Sequence, residues 1–169
     1  MDIFQKRYIA HQKRKAKVLE EILKEKHSTR QFSSRDVDIE QLKTICASAL
    51  DKSPSSCDRK AIHLEYIDDK DDKRLLSGLL VGGTGWIHRA NVIVLIKADM
   101  VAFKENLDYM PYLDAGVVIQ SLYLTLTTSA YKCCYVNPNI RKKHQGIFDN
   151  YFQPSFTKFC GAMAVGYEK

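Results

Sequence analysis

Apolar side chains at Val18, Leu19, Ile22 and Leu23 recur at helical spacing, and Ile3, Phe4 and Tyr8 lie upstream of them. This pattern predicts a helix over residues 2–25, in one piece or two. A second helix is expected where Ile39, Leu42, Ile45, Cys46, Ala49 and Leu50 share one face. Asp38 stands at its N-cap with Gln41 three residues on, and Asp51-Lys52-Ser53-Pro54 ends it because proline cannot continue a helix. Over 61–67 the period changes to two: Ile62, Leu64 and Tyr66 face one way, His63 and Glu65 the other, which predicts a half-buried strand before the acidic turn DDKDD. A short helix over Lys73 to Leu80 leads into VGGTGW. Asn91-Val-Ile-Val-Leu-Ile-Lys97 then reads as a central strand buried on both faces. Asp114 opens a stretch, Ala115 to Ala130, that is apolar nearly all round and predicts a core helix. Cys133 to Val136 and Phe159 to Gly166 read as further strands. Helices and strands interleave without a repeat or linker, so one layer-built domain spanning 1–169 is expected.

Composition narrows the function classes. With 169 residues, 45% of them hydrophobic, the chain can bury a real core. No apolar run approaches the ~20 residues of a membrane span, and MDIFQKRYIAHQKRK lacks the apolar stretch and cleavage site of a signal peptide. A cytoplasmic protein with no membrane partner is expected. The five cysteines are odd in number and lack C-x-x-C spacing, so neither a metal site nor a disulfide framework is expected; most should act as small buried apolar groups. The net charge of +6 gathers near the start, at Lys6, Arg7, Lys13, Arg14, Lys15 and Lys17. A solvated helix face explains it more simply than nucleic-acid binding, since no RNA-recognition or zinc-finger signature accompanies it.

Three polar segments carry candidate chemistry. KHSTRQF sets Lys26, His27, Ser28 and Arg30 together, cations and donors that suit a phosphate. The same residues suit a helix C-terminus, where cations meet the dipole, and taken alone the segment favours that simpler reading. Ser53-Pro54-Ser55-Ser56-Cys57-Asp58-Arg59-Lys60 lies between a helix and a strand, where sites are commonly built, although serine also simply tolerates turns. Gly82-Gly83-Thr84-Gly85 lacks the Lys-Ser or Lys-Thr of a phosphate loop and reads as a flexible turn, with Trp86 either capping it or in the core.

Order and spacing together resemble the nitroreductase family of flavin enzymes over nearly the whole chain. KHSTRQF is similar to that family's opening pattern, and SPSSCDRKAIHLEYI to its Pro-Ser-Ser-x-Asn-x-Gln-Pro-Trp segment running into a strand. YLDAGVVIQSLYLTLTTSAYKCCYV resembles its Asp-x-Gly-x-x-x-Gln-Asn-Leu helix and the strand beyond, and GAMAVGYEK its closing strand. The resemblance implies an α+β fold: a three-layer α/β/α domain with a central, mostly antiparallel sheet flanked by helices, in a homodimer that holds FMN at its interface. It implies hydride transfer from NAD(P)H and delivery of electrons to a quinone, nitroaromatic or other small acceptor, with the flavin carrying the chemistry and no catalytic side chain identified.

Carried over residue by residue, the resemblance makes Lys26, His27, Ser28 and Arg30 contacts to the flavin phosphate and ribityl chain. Pro54, Ser55 and Ser56, with Asp58 and Lys60 at the family's Asn and Gln positions, would approach from the second subunit. Gln120 would face the interface and Asn137 the isoalloxazine edge. Asp58 can only accept hydrogen bonds where Asn would also donate, and Lys60 could offset its charge, so the two are expected to pair and retune the flavin. Ala61 and Ile62 stand where Pro and Trp are common, implying a smaller wall. Lys169 follows the closing strand directly, where many relatives continue with a tail that adds a phosphate-binding cation; either Lys169 substitutes or the grip is weaker. Two rivals follow: a diverged flavin-binding protein with little reductase activity, and a basic nucleic-acid-binding module.

Overall fold

The computed structural model describes residues 2–103, 108–154 and 156–169. Four strands, β1 (Ile62–Ile67), β2 (Val92–Asp99), β3 (Lys132–Val136) and β4 (Thr157–Gly166), form one antiparallel sheet in the order β1-β2-β4-β3. Helices α2 (Ile39–Lys52) and α4 (Met110–Thr127) cover one face, while α3 (Lys70–Leu79) and α5 (Gln145–Phe152) cover the other. The expected α+β, three-layer α/β/α arrangement is therefore present.

The strand pattern dictates these layers. On β2, Val92, Val94, Ile96 and Ala98 point toward α2 and α4, whereas Ile93 and Leu95 point toward α3 and α5. Both sets are buried, which is why the run is continuously apolar. On β4, Met163 and Val165 share the first face, and Ala162 and Ala164 the second. Below Gly161 that parity inverts: Cys160 joins the first cluster and Phe159 the second. The cause is a bulge, since Ile96 pairs with Gly161 but Lys97 with Phe159. Gly161 has φ of 124°, and the Tyr135 ring fills the space a Cβ would need.

Several expectations are corrected. The first helix, expected in one piece or two, is a single one, α1 (Ile3–Glu25), with no buried residue. Helix α3 begins at Lys70 rather than Lys73, because the Asp69 carboxylate accepts from the N–H groups of Asp71 and Asp72; much of the acidic turn is its cap and first turn. Asp114 does not open α4 but lies inside it, and proline at the first turn starts that helix earlier. Nor is α4 wholly a core helix: Ala115, Val118, Leu122 and Leu126 are buried, but Tyr112, Leu113 and Val117 are 43%, 59% and 39% exposed. Helix α5 was not anticipated; Phe148 and Phe152, one turn apart, bury it against Phe159. Cys46, Cys133, Cys134 and Cys160 are buried thiols as expected, and Cys57 is exposed. Among the described residues no helix is long and apolar enough to cross a membrane.

Candidate functional site

The segment after α1 leaves the helix by joining the sheet. Thr29 donates its N–H to the Cys133 carbonyl at 3.2 Å, and Phe32 bridges to Glu168. This lays Lys26 to Phe32 beside β3 and the chain's last residues. Lys26 Nζ sits 4.4 Å from the centre of the Tyr123 ring. Tyr123, on α4, accepts the Tyr135 N–H at 2.7 Å and shares a 3.0 Å hydrogen bond with Ser28 Oγ. Burial pushes the Tyr123 hydroxyl's pKa up, so it stays protonated and can donate to Ser28. Arg30 lies 5.6 Å from the Trp86 ring centre, and Trp86 Nε1 donates to the Gly82 carbonyl at 2.9 Å. Trp86 thus closes the glycine loop, and Asn137 flanks Gly82. Lys26, Ser28, Arg30 and Asn137 therefore gather around one end of α4 and the glycine loop.

His27 is the exception. Its Nε2 lies 2.9 Å from Glu168 Oε1 and its Nδ1 2.9 Å from the Glu25 carbonyl. Both ring nitrogens are engaged, which raises the His27 pKa above its ordinary value, chiefly through Glu168. His27 thereby links the first and last segments of this chain. Lys169 contributes its backbone N–H to the Gln31 carbonyl at 3.3 Å.

The second polar segment lies at the other end of α4. Pro54 and Ser55 line a cavity of about 240 Å³ with Leu50, Lys60, Ile62 and Val118. Ser56 donates its N–H to Asp114 Oδ1 at 2.9 Å, and Ser53 Oγ donates to Ser121 Oγ at 2.8 Å. Lys60 Nζ is 3.7 Å from Asp58 Oδ1, but its 2.8 Å hydrogen bonds go to the carbonyls of Asp51 and Ser53, at the end of α2. Lys60 is therefore a helix C-cap first and a partner of Asp58 second.

The two groups are not adjacent within one chain. Asp114 and Tyr123 are separated along α4 by about 13 Å at roughly 1.5 Å per residue. Gln120 lies between them, exposed on the same outward side as Leu113 and Val117. A larger cavity, about 610 Å³, lies elsewhere, between Ser33, Lys70, Arg89 and Asn91, and is lined by none of the candidate cofactor-binding residues. Sequence reasoning missed Tyr123, Asp114, Trp86 and Glu168 as members of these groups. Nothing in an apolar helix marks one tyrosine as a hydrogen-bond hub; Trp86 caps the glycine loop, as one of its two sequence readings has it, but its contact with Arg30, like that of Glu168 with His27, is distant in sequence.

No family model matches the sequence, and no curated protein matches it either. Solved structures do match. An FMN-dependent nitroreductase from Clostridium difficile aligns with TM-score 0.73 at 21% identity, covering 88% of this chain and 86% of its own. A second nitroreductase family protein from the same organism gives 0.72 at 20% identity, covering 88% and 83%. A nitroreductase family protein from Streptococcus pneumoniae gives 0.73 at 17% identity, covering 88% and 90%. The chain has the nitroreductase fold.

Proposed function

We propose that this chain is an FMN-dependent oxidoreductase of nitroreductase type, which takes hydride from NADH or NADPH and passes the electrons to a quinone, nitroaromatic or other small acceptor. One observation carries the reading. Two polar groups suited to the two ends of a flavin nucleotide stand at opposite ends of α4, and an exposed apolar row, Leu113 and Val117, starts at the serine-loop end and leads to Gln120 between them. In a twofold homodimer packed through that row, the phosphate-binding group of one protomer meets the serine loop of its partner. A helix with an exposed apolar row of this kind calls for such a covering.

The donor set fits the group. Lys26 and Arg30 supply fixed positive charge and Ser28 a hydroxyl, as a doubly charged phosphate requires. Tyr123 and Trp86 hold Lys26 and Arg30 through their ring faces, so the cations are placed in advance. On the other side Pro54, Ser55 and Ser56 form a wall fixed to α4, and Asp58 and Lys60 set the local charge. Gln120 lies exposed between the two groups and Asn137 beside Gly82. FMN, when bound, supplies the hydride and electron chemistry, so the protein's task is to bind, orient and tune it.

The test is direct. Purified protein should be yellow, release FMN on denaturation, and oxidise NADH or NADPH with a quinone present. A colourless protein that also refuses added FMN overturns the proposal. A second reading, a flavin-binding protein with little reductase activity, draws on the pairing of His27 with Glu168, which leaves a carboxylate near the phosphate end. Bound FMN without nicotinamide oxidation would select it.

A further inference from the structure

The Ser55–Lys60 loop adopts a backbone its sequence does not favour. Cys57, Asp58 and Lys60 have φ of 51°, 51° and 50°, the left-handed region in which L side chains crowd their own backbone, and no glycine stands among them. Such a conformation persists only where surrounding contacts fix it. Ser55 Oγ accepts the Lys60 N–H at 2.9 Å, and Arg59 Nη1 donates to the Ser56 carbonyl at 2.9 Å. Lys60 Nζ reaches the carbonyls of Asp51 and Ser53. These bonds tie the loop to itself and to the end of α2.

One further bond ties it to α4, from the Ser56 N–H to Asp114 Oδ1. Asp114 is only 5% exposed, and its other carboxylate oxygen is buried without a hydrogen-bond partner among the described residues. Burying a carboxylate with one oxygen unmatched is unfavourable, so this residue is a poor choice for stability alone. It does provide a fixed, strong acceptor at the point where the strained loop begins.

We infer that Asp114 is a positioning residue, its carboxylate latching the Ser55–Lys60 loop to α4 in the left-handed form that meets the ligand. The latch rests on the geometry alone; its role toward a flavin rests on the function proposed above.

Three variants of the full chain test it: Asp114→Ala, Asp114→Asn and Ser56→Pro. The Asn oxygen can still accept from Ser56. Proline deletes the Ser56 donor, and Ser55, at φ −138° and ψ 158°, already has the extended backbone a residue before proline requires. Amide hydrogen exchange across the loop without ligand, FMN dissociation constants, and melting temperatures are measured together. Asp114→Ala should speed loop exchange and weaken FMN binding, each by about tenfold or more, as loss of a hydrogen bond to a charged group implies. Asp114→Asn should stay within about threefold on both counts, because it keeps the acceptor. Ser56→Pro should match the alanine variant in FMN affinity, and combining the two should add little, since they remove one and the same bond.

The proposal is overturned if Asp114→Ala leaves loop exchange unchanged. It is equally overturned if the Ala and Asn variants behave alike, or if the double variant is additive. Should Asp114→Ala fail to fold, the Asn and Pro variants carry the comparison. If the wild type binds no FMN while Asp114→Ala still frees the loop, the flavin reading falls and the latch stands. If FMN binds wild type and Asp114→Ala equally, the positioning role falls and the flavin reading stands.

Discussion

His27 Nε2 and Glu168 Oε1 meet at 2.9 Å, and this contact joins the segment leaving α1 to the residues that follow β4. The neighbouring bridge between Phe32 and Glu168, and the Ser33 N–H donated to the Tyr167 carbonyl at 2.8 Å, make the two segments a paired edge. His27, which the sequence resemblance assigns to a flavin phosphate, takes part in this edge.

The contact predicts a pH dependence with a definite sign. His27 is raised above its ordinary 6.5, first by the hydrogen bond to Glu168 and then by that to the Glu25 carbonyl. Glu168 is lowered below its ordinary 4.5, chiefly by His27. A raised histidine contributes stability that is full below 6.5 and lost as pH climbs through its folded value. A lowered carboxylate contributes stability that is present above 4.5 and lost as pH falls through its folded value. The clamp is therefore strongest between about 4.5 and 6.5 and weakens on both sides. Both groups are half-exposed, so it contributes no more than about 1 kcal/mol. Proton NMR titration should find His27 above 6.5 in the wild type and lower in Glu168→Ala, which keeps only the part of the rise owed to the Glu25 carbonyl.

Because His27 is committed to Glu168, its loss should barely affect cofactor uptake. His27→Ala should change FMN affinity by less than about threefold, whereas Lys26→Ala or Arg30→Ala should weaken it by about tenfold or more. Riboflavin, which lacks the phosphate, should lose little with either cation removed. Equal losses for FMN and riboflavin would place Lys26 and Arg30 away from the phosphate. Fluorescence titration measures all of these.

Gly161 carries a prediction about the fold. Its φ of 124° and the Tyr135 ring against its Cα leave no room for a side chain. Gly161→Ala should cost about 2–4 kcal/mol, since backbone strain and a steric clash act together. Tyr135→Ala should relieve only the clash, so in its background the added cost of Gly161→Ala should shrink without vanishing. Urea unfolding at fixed temperature measures the cycle.

What the sequence revealed depended on how local the signal was. Asp38 with Gln41, the alternation from Ile62 to Tyr66, and the run from Val92 to Ile96 each announce their element through near neighbours, and each stands where expected. The acidic turn was misjudged because Asp69 can equally end a strand's turn or cap a helix, and only its bonds to Asp71 and Asp72 decide. The inverted parity at Gly161 needs Tyr135 across the sheet, so no local pattern could show it. At the site, charges and hydroxyls could be named, and one pair, Asp58 with Lys60, but not the other partners. That His27 turns to Glu168 is decided by tertiary approach, and that Lys60 turns to the end of α2 by the fold of its own loop.

The outward row of α4 carries the last prediction. Leu113 and Val117, one turn apart, remain exposed, as does Gln120 one turn further. A charge introduced there would be buried by any partner protomer but tolerated by a lone chain, because Leu113 and Val117 are exposed among the described residues. Leu113→Glu with Val117→Glu should therefore leave the fold intact by circular dichroism. Sedimentation should show the mass falling from two chains to one, and FMN should be lost in parallel, because each half-site is left without its partner. A wild-type protein that is monomeric yet binds FMN tightly would break this link and require one chain to bring the serine loop and the Lys26 group together on its own. The Lys26→Ala and Asp114→Ala affinities would then show whether both ends of α4 still contribute.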